Sequence, residues 1–337
     1  MDKASASSYV YAKASGMLAR SFAGPRAAAL FEVKKLSELW TLVFGDDVPV
    51  VPEEMLAEKI ERKAELTFVS DFTNLLECYS KPEPVSLALL QSYDYSNLKN
   101  ISHALQNGEK ELPSIVDIGS FSMLNYSEWP SLAKITEKTP LSWYNEVPTR
   151  EQQKDFDLRL DTQYMLSLWN AVEKVPAAER KSVAELVREK LVLQNCIWAL
   201  RLKVYYNMSN EDIIKNLVFL DEKNGSQDLL AGEAVSILDF AIDTYDDWSS
   251  WKYSHLLNPH TEGEIWQIDP RWLEQSVVLD INKKAMKHFH RNPFTADVLV
   301  SWFMIKQYEL NCIRTAAEGL RLSVDEAHMK EFAGIER

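Results

Sequence analysis

The tetrapeptide Gln194-Asn195-Cys196-Ile197 returns 116 residues later as Leu310-Asn311-Cys312-Ile313. The first copy leads to Ser209-Asn210-Glu211-Asp212 and the second to Ser323-Val324-Asp325-Glu326. In both continuations a serine precedes an acidic residue by three positions, which is the pattern of a capping box that opens a helix. The sequence therefore predicts a repeated unit that consists of a long helix, a short turn and a capped short helix.

A weaker third copy of this unit lies nearer the start of the chain. Asn97-Leu98-Lys99 is followed by Gly108 and then by Leu112-Pro113-Ser114. We therefore expect three related helical domains, over residues 1–113, 114–228 and 229–337. If the repeat is real, Asn97, Asn195 and Asn311 lie at corresponding places in the three domains.

Helix signals recur along the whole chain, whereas the alternation typical of strands is hard to find. Pro52-Glu53-Glu54 fits a first turn, because proline costs no hydrogen bond there and carboxylates favour the positive end of the helix dipole. The sequence predicts an all-α fold. It places irregular segments at Ser114–Pro148 and Trp251–Pro270. Further helices are expected over Pro82–Asn107 (with Gly108 as the cap), Ala177–Tyr206, Arg271–His290 and Thr295–Glu318.

Composition and charge exclude several classes of protein. The chain has 337 residues, of which 46% are hydrophobic, and a net charge of −13. Each of the three predicted domains is acidic, so none has the basic surface of a nucleic-acid or anionic-lipid binder. The three cysteines are far apart and form no CxxC pair, which favours a reducing compartment over a disulfide framework or a zinc site. No apolar run is long enough to span a membrane.

The chain contains no GxxxxGK[ST], GxGxxG, HExxH or GxSxG motif, and its histidines show no metal-ligand spacing. One cluster of four aspartates has a spacing that would place all four carboxylates on one helical face. Such a face can bind Mg²⁺ and a diphosphate, but it is more often a solvated surface, and no partner motif accompanies it here. We predict no catalytic, cofactor-binding or metal-binding residue. The cluster consists of Asp239, Asp243, Asp246 and Asp247.

Several segments resemble the C subunit of the prokaryotic A/V-type rotary ATPases and the d subunit of the eukaryotic vacuolar pump. The matches run in order along nearly the whole chain. They include Tyr9–Ala14, Val33–Trp40, Tyr93–Lys99, Asp117–Phe121, Trp129-Pro130, Lys306–Arg314 and Gly319–Ser323.

This resemblance implies a funnel of three similar helical domains around a pseudo-threefold axis. It also implies a non-catalytic central-stalk subunit, present in one copy, that joins shaft subunits of the D and F type to the membrane rotor ring for ATP-linked H⁺ or Na⁺ transport. We expect such a protein to be cytoplasmic and peripheral on the membrane through the complex. The alternatives are a Mg²⁺-dependent prenyl-diphosphate enzyme that uses the four aspartates, or a generic helical scaffold.

Overall fold

The computed structural model describes residues 3–261 and 263–335, and every regular element within those ranges is a helix. The predicted all-α fold class is therefore confirmed. The α-helices, in chain order, are α1 (Lys3–Leu18), α2 (Ala29–Glu32), α3 (Leu36–Phe44), α4 (Glu53–Leu76), α5 (Pro84–Leu90), α6 (Ser92–Gln106), α7 (Leu132–Ile135), α8 (Gln153–Glu173), α9 (Ala177–Tyr206), α10 (Asn210–Ile214), α11 (Gly232–Ser236), α12 (Tyr245–Ser249), α13 (Pro270–Arg291), α14 (Ala296–Arg321) and α15 (Glu326–Ala333).

The chain folds into two compact units, and each is assembled from separate stretches of sequence. One unit contains Leu66–Arg180 and the residues before Tyr11, and the other contains Tyr11–Glu65 and the residues from Lys181 onward. The division into three domains at residues 113 and 228 stays a prediction.

Helix α4 forms where the sequence predicts it. It begins directly after Pro52 with Glu53 and Glu54 in its first turn. Its apolar residues at mostly four-residue spacing are buried, and burial of each large side chain among them contributes about 1.5–3 kcal/mol. These positions are Leu56, Ile60, Ala64, Phe68, Phe72, Leu75 and Leu76.

The segment Pro82–Asn107 was expected to be one helix, and it is two. Gln91 lies between α5 and α6: its N–H donates to the Leu87 carbonyl (2.9 Å) as the last α-helical bond of α5, whereas its carbonyl accepts from the Asp94 N–H (3.0 Å) in a tighter turn. The side chain of Gln91 donates a hydrogen bond to the carbonyl of Phe121 (3.2 Å), which ties this break to the irregular segment. The expected cap at Gly108 is present with φ +72°, a conformation that glycine adopts without strain.

Each of the two long helices of the repeat, α9 and α14, is followed by a short capped helix, as predicted. The residue predicted to cap the second short helix is wrong. Ser209 caps α10 and accepts a hydrogen bond from the Asp212 N–H, as expected. Ser323 does not cap α15, because it adopts a left-handed conformation (φ +56°) that follows the end of α14. Asp325 is the cap, and its carboxylate accepts from the His328 N–H (3.0 Å). The offset of 116 residues is therefore kept at both the tetrapeptides and the caps.

Asn97 binds the chain that returns after α6. Its side-chain amide donates to the carbonyl of Val116 (2.7 Å), and its oxygen accepts from the Val116 N–H (2.9 Å). Asn97 and Val116 are both buried. An amide side chain carries a donor and an acceptor side by side, so it satisfies both backbone groups of a buried residue that lies outside regular structure.

Asn195 repeats this arrangement on α9 in the other unit. Its amide nitrogen donates to the carbonyls of Val218 and Leu230 (3.0 Å each), and its oxygen accepts from the Val218 N–H (3.0 Å). All three residues are buried. The correspondence expected between Asn97 and Asn195 thus extends to the hydrogen bonds that they make. We call each of these two arrangements an asparagine clasp.

Asn311 departs from the expected correspondence. Its neighbour Cys312 is buried as Cys196 is, but the side chain of Asn311 is exposed on α14. Asn195, by contrast, is buried and reaches two segments beyond the short helix α10. The tetrapeptide match therefore corresponds to a buried cysteine at the same place in both helices, but it does not reproduce the asparagine clasp.

This contrast predicts different costs for the same substitution at matched positions. Asn195→Leu leaves buried backbone groups of Val218 and Leu230 without partners, and we expect a loss of about 2–4 kcal/mol in the free energy of unfolding. Asn311→Leu changes an exposed side chain, and we expect a change within about 0.5 kcal/mol. Urea unfolding followed by tryptophan fluorescence measures both. Equal losses in the free energy of unfolding for the two variants would contradict the asparagine clasp at Asn195.

Candidate functional site

The four aspartates of the acidic cluster do not share a helical face. Asp239 ends the 3₁₀ helix Ile237–Asp239, and Asp246 and Asp247 belong to α12. Between them Phe240 is extended (ψ 140°), which interrupts the helix that the spacing suggested. All four side chains lie on exposed residues. The interpretation as a single Mg²⁺-binding face is therefore wrong.

At least one of these carboxylates has a structural contact. The Asp247 carboxylate accepts a hydrogen bond from the Ala241 N–H (3.1 Å). Next to it, the buried Trp248 donates its indole N–H to the Ala241 carbonyl (2.7 Å). Both groups of Ala241 are thus bound by α12, which holds the loop between the two short helices.

Ser182, His288 and Asp297 come together in the second unit, but not in the geometry of a nucleophilic triad. The Ser182 hydroxyl lies 3.1 Å from His288 Nδ1, and the nearest carboxylate oxygen of Asp297 lies 3.7 Å from the same nitrogen. In a triad the serine and the carboxylate contact opposite ring nitrogens of the histidine. One nitrogen accepts the serine proton, and the other donates to the carboxylate, which orients the ring. Asn292 completes the cluster by donating to both Ser182 and Asp297 (2.9 and 2.8 Å).

Among residues 3–261 and 263–335, no three His, Cys, Asp or Glu side chains are grouped as a metal ion would require. In the same ranges, no helix combines the length and the apolar character that a membrane-spanning segment needs.

Asp94, one turn before Asn97 on α6, is a fully buried carboxylate. It accepts hydrogen bonds from the Ser122 hydroxyl (2.7 Å), the Met123 N–H (2.7 Å) and the Tyr126 hydroxyl (2.8 Å). Burial disfavours its charged form and raises its pKa, and the three hydrogen bonds offset only part of that rise. Asp94 therefore fixes residues 122–126 while Asn97 fixes Val116.

Asp228 plays the corresponding part in the other unit, with the opposite effect on its pKa. One carboxylate oxygen accepts from the N–H groups of Leu220 (3.1 Å) and Asp221 (2.9 Å). The other accepts from those of Leu230 and Ala231 (2.9 Å each). Burial favours a higher pKa, but the four backbone N–H groups outweigh it and hold the pKa of Asp228 below its usual value.

An exposed apolar groove is bounded by α13, α14 and α15. Its volume is about 540 Å³, within the range of pockets that receive ligands. Three large apolar side chains line it and remain exposed: Leu322 (60%), Val324 (40%) and Phe332 (56%). We refer to it as the α15 groove.

Helix α15 forms one wall of this groove. Met329 packs so closely over Gly319 that a Cβ added at Gly319 would clash with the Met329 sulfur. On the other side, Glu326 accepts from Lys34 (2.6 Å) and pairs with Lys330 (2.8 Å). The hydrogen bonds from Lys330 and Lys34 lower the pKa of Glu326 to about 2, so it stays ionised at neutral pH.

Sequence reasoning missed the two buried aspartates and the groove. Asp94 lies between two tyrosines in a helical pattern, which is a weak signal for a buried carboxylate. The apolar residues of the groove belong to a turn and a short helix, and their exposure depends on how α13, α14 and α15 pack.

Comparison with known proteins decides the family. Residues 42–332 match the model of the ATP synthase (C/AC39) subunit family. The chain belongs to this family. It is similar to the C subunit of the A-type ATP synthase of Thermococcus gammatolerans, at 24% identity over 98% of this chain and 90% of that protein. It is also similar to an uncharacterized protein of Treponema pallidum (strain Nichols), at 31% identity over 97% of this chain and 96% of that protein.

The resemblance drawn from the sequence motifs is thereby confirmed. The region that matches the C/AC39 family includes both asparagine clasps, both buried aspartates and the α15 groove up to Phe332. An ATP synthase subunit works within a rotary complex, and it therefore needs surfaces that bind other subunits.

The opposite pKa shifts of the two aspartates predict opposite pH dependences. For Asp228, whose pKa is lowered by folding, the stabilising contribution is present above the unfolded value of about 3.9 and is lost as pH falls through the lower folded value. We expect the stability advantage of the natural chain over Asp228→Asn to shrink as the pH falls below about 4.

Asp94 serves as the matched control. Its pKa is raised by folding, so the folded state holds the proton more tightly and stability falls as pH rises towards the folded pKa. The advantage of the natural chain over Asp94→Asn should therefore be largest at the acid end. Urea unfolding between pH 3 and 7 measures both differences, and the same sign of slope for the two variants would refute the assignment.

Proposed function

We propose that this chain is a non-catalytic central-stalk subunit of an A/V-type rotary ATPase. In this role it couples the central shaft to the membrane-embedded rotor ring. The proposal rests on the family match, and above all on the alignment with the C subunit of an A-type ATP synthase over nearly the full length of both chains.

The partners in this proposal are shaft subunits of the D and F type and the rotor ring, with a single copy of the chain in each complex. Its place is then peripheral, on the cytoplasmic face of the membrane. The chemistry of ATP would lie in other subunits. The ion that moves, H⁺ or Na⁺, would be set by the ring.

A coupling subunit must transmit torque without slipping. One elementary charge that crosses 100 mV delivers about 2.3 kcal/mol, so each step loads the joints of the rotor with a few kcal/mol. Long helices suit this task, because their hydrogen bonds are internal and their packing is dense. The 30-residue helix α9 spans about 45 Å at 1.5 Å per residue.

The asparagine clasps and the buried aspartates support the same role. They bind the irregular segments after α6 and after α9 to their helices through buried hydrogen bonds. Loops that are bound in this way deform less under load than loops that are held by solvent-exposed contacts alone.

The test is reconstitution of the ATPase in sealed vesicles with and without this chain. We expect its removal to abolish ATP-driven ion pumping while the soluble head keeps its ATPase activity, because the head retains its own catalytic residues but no torque reaches the ring. Adding back the purified chain should restore pumping. Undiminished ion transport without the chain would rule out the coupling role.

A further inference from the structure

The second half of α13 exposes only basic residues. From Asn282 to the end of the helix, the exposed residues are Lys283, Lys287, His290 and Arg291. They stand at i, i+4, i+7 and i+8, so they lie on one face of the helix. The rise along the helix axis is about 6 Å from Lys283 to Lys287 and again from Lys287 to Arg291. We call these four residues the α13 basic face.

A segment near the start of the chain runs beside this half of α13. The Tyr11 ring stacks on Phe289 (5.4 Å between centroids). Further along the segment, the Ala23 carbonyl accepts a hydrogen bond from the Asn282 side chain (3.1 Å). Residues 11–23 therefore follow α13 from its last turns back towards its middle.

Neither of these two stretches contains an acidic residue. The chain has 50 Asp and Glu against 37 Lys and Arg, yet residues 11–31 and residues 281–296 contain no Asp or Glu. The first stretch also adds three cations, the half-buried Lys13 and the exposed Arg20 and Arg26. The net charges of the predicted domains average over this local surface, so composition alone does not reveal it.

The cations of the α13 basic face are not paired with acids. No carboxylate oxygen of residues 3–261 and 263–335 lies within 4.0 Å of a side-chain nitrogen of Lys283, Lys287 or Arg291. By contrast, Lys284 on the same helix pairs with Asp280 (2.6 Å).

This arrangement is unfavourable for the chain by itself. Like charges at i and i+4 repel each other and destabilise a helix. The negative end of the helix dipole attracts cations in the last turn only, and Lys283 and Lys287 come before that turn. A bound anion would remove the repulsion.

An acidic protein segment fits this surface better than an extended anion does. A membrane or a nucleic acid reaches beyond the α13 basic face and would also meet the rest of a chain whose net charge is −13. Helices that bind membranes also insert apolar side chains, and α13 exposes none between Asn282 and Arg291. A protein segment needs to contact only the face itself.

We propose that the α13 basic face binds an acidic segment of a partner protein, whose carboxylates lie about one helical turn apart. The proposal rests on the arrangement of charges on this chain and not on the rotor-stalk role. Either proposal can therefore fail while the other stands.

The test uses the full-length chain and three synthetic helical peptides, with binding measured by fluorescence anisotropy at low salt. The first peptide carries glutamates at i, i+4 and i+8 on an otherwise uncharged helix. The second carries lysines at those positions, and the third distributes the same glutamates around the helix. We expect the first to bind at least about tenfold more tightly than the second and about threefold more tightly than the third. Raising the salt concentration should weaken its binding, because exposed charges are screened.

Matched variants locate the binding on the molecule. Lys283→Glu combined with Lys287→Glu reverses two charges of the face and should weaken binding of the first peptide at least about tenfold. Lys59→Glu combined with Lys154→Glu is the control, because it changes the net charge by the same amount at exposed positions on α4 and α8. The control should bind within about twofold of the natural chain. Circular dichroism checks that each variant is folded.

The proposal is overturned if the first peptide does not bind at about 1 mM, or if the second or third peptide binds equally well. It is also overturned if the folded Lys283→Glu, Lys287→Glu variant binds the first peptide as tightly as the natural chain does. Vesicles that contain phosphatidylglycerol and a single-stranded oligonucleotide are measured in parallel. Tighter binding to either of them, lost in the same variant, would assign the face to a membrane or a nucleic acid instead.

Discussion

The paired hydrogen bonds between an asparagine side chain and a returning backbone are the interaction on which this structure depends. A buried backbone N–H or carbonyl without a partner costs about 1–3 kcal/mol, so an irregular segment cannot pack against a helix unless something satisfies it. Asn97 and Asn195 do this from the middle of α6 and α9. Asp94 and Asp228 extend the same solution to the neighbouring residues.

The sequence predicts much of this fold because helices are locally encoded. The Pro52-Glu53-Glu54 signal located the start of α4, and the repeat singled out Asn97 and Asn195. Other features depend on distant residues. Asn311 has the same neighbour as Asn195 but an exposed side chain, and the extended backbone at Phe240 separates aspartates whose spacing alone suggested one face. The α15 groove exists only once three helices have packed.

The same hydrogen bonds connect the fold to its proposed role. A protein that transmits torque needs rigid elements and specific surfaces for its partners, and a reaction centre is not required. The clasps make the segments beside α6 and α9 part of the rigid body of each unit. The α15 groove adds an exposed apolar surface to the second of these units. Family membership supplies the complex in which such surfaces act.

Rotation of this chain inside the intact ATPase tests the central proposal most directly. A gold bead is attached through Val50→Cys, at a fully exposed position, in a chain in which Cys78→Ser removes the partly exposed natural thiol. The complex is fixed to glass by its catalytic head. Our account predicts that ATP drives the bead in continuous rotation in one direction. A bead that stays still, while a bead on the shaft of the same preparation turns, would contradict it.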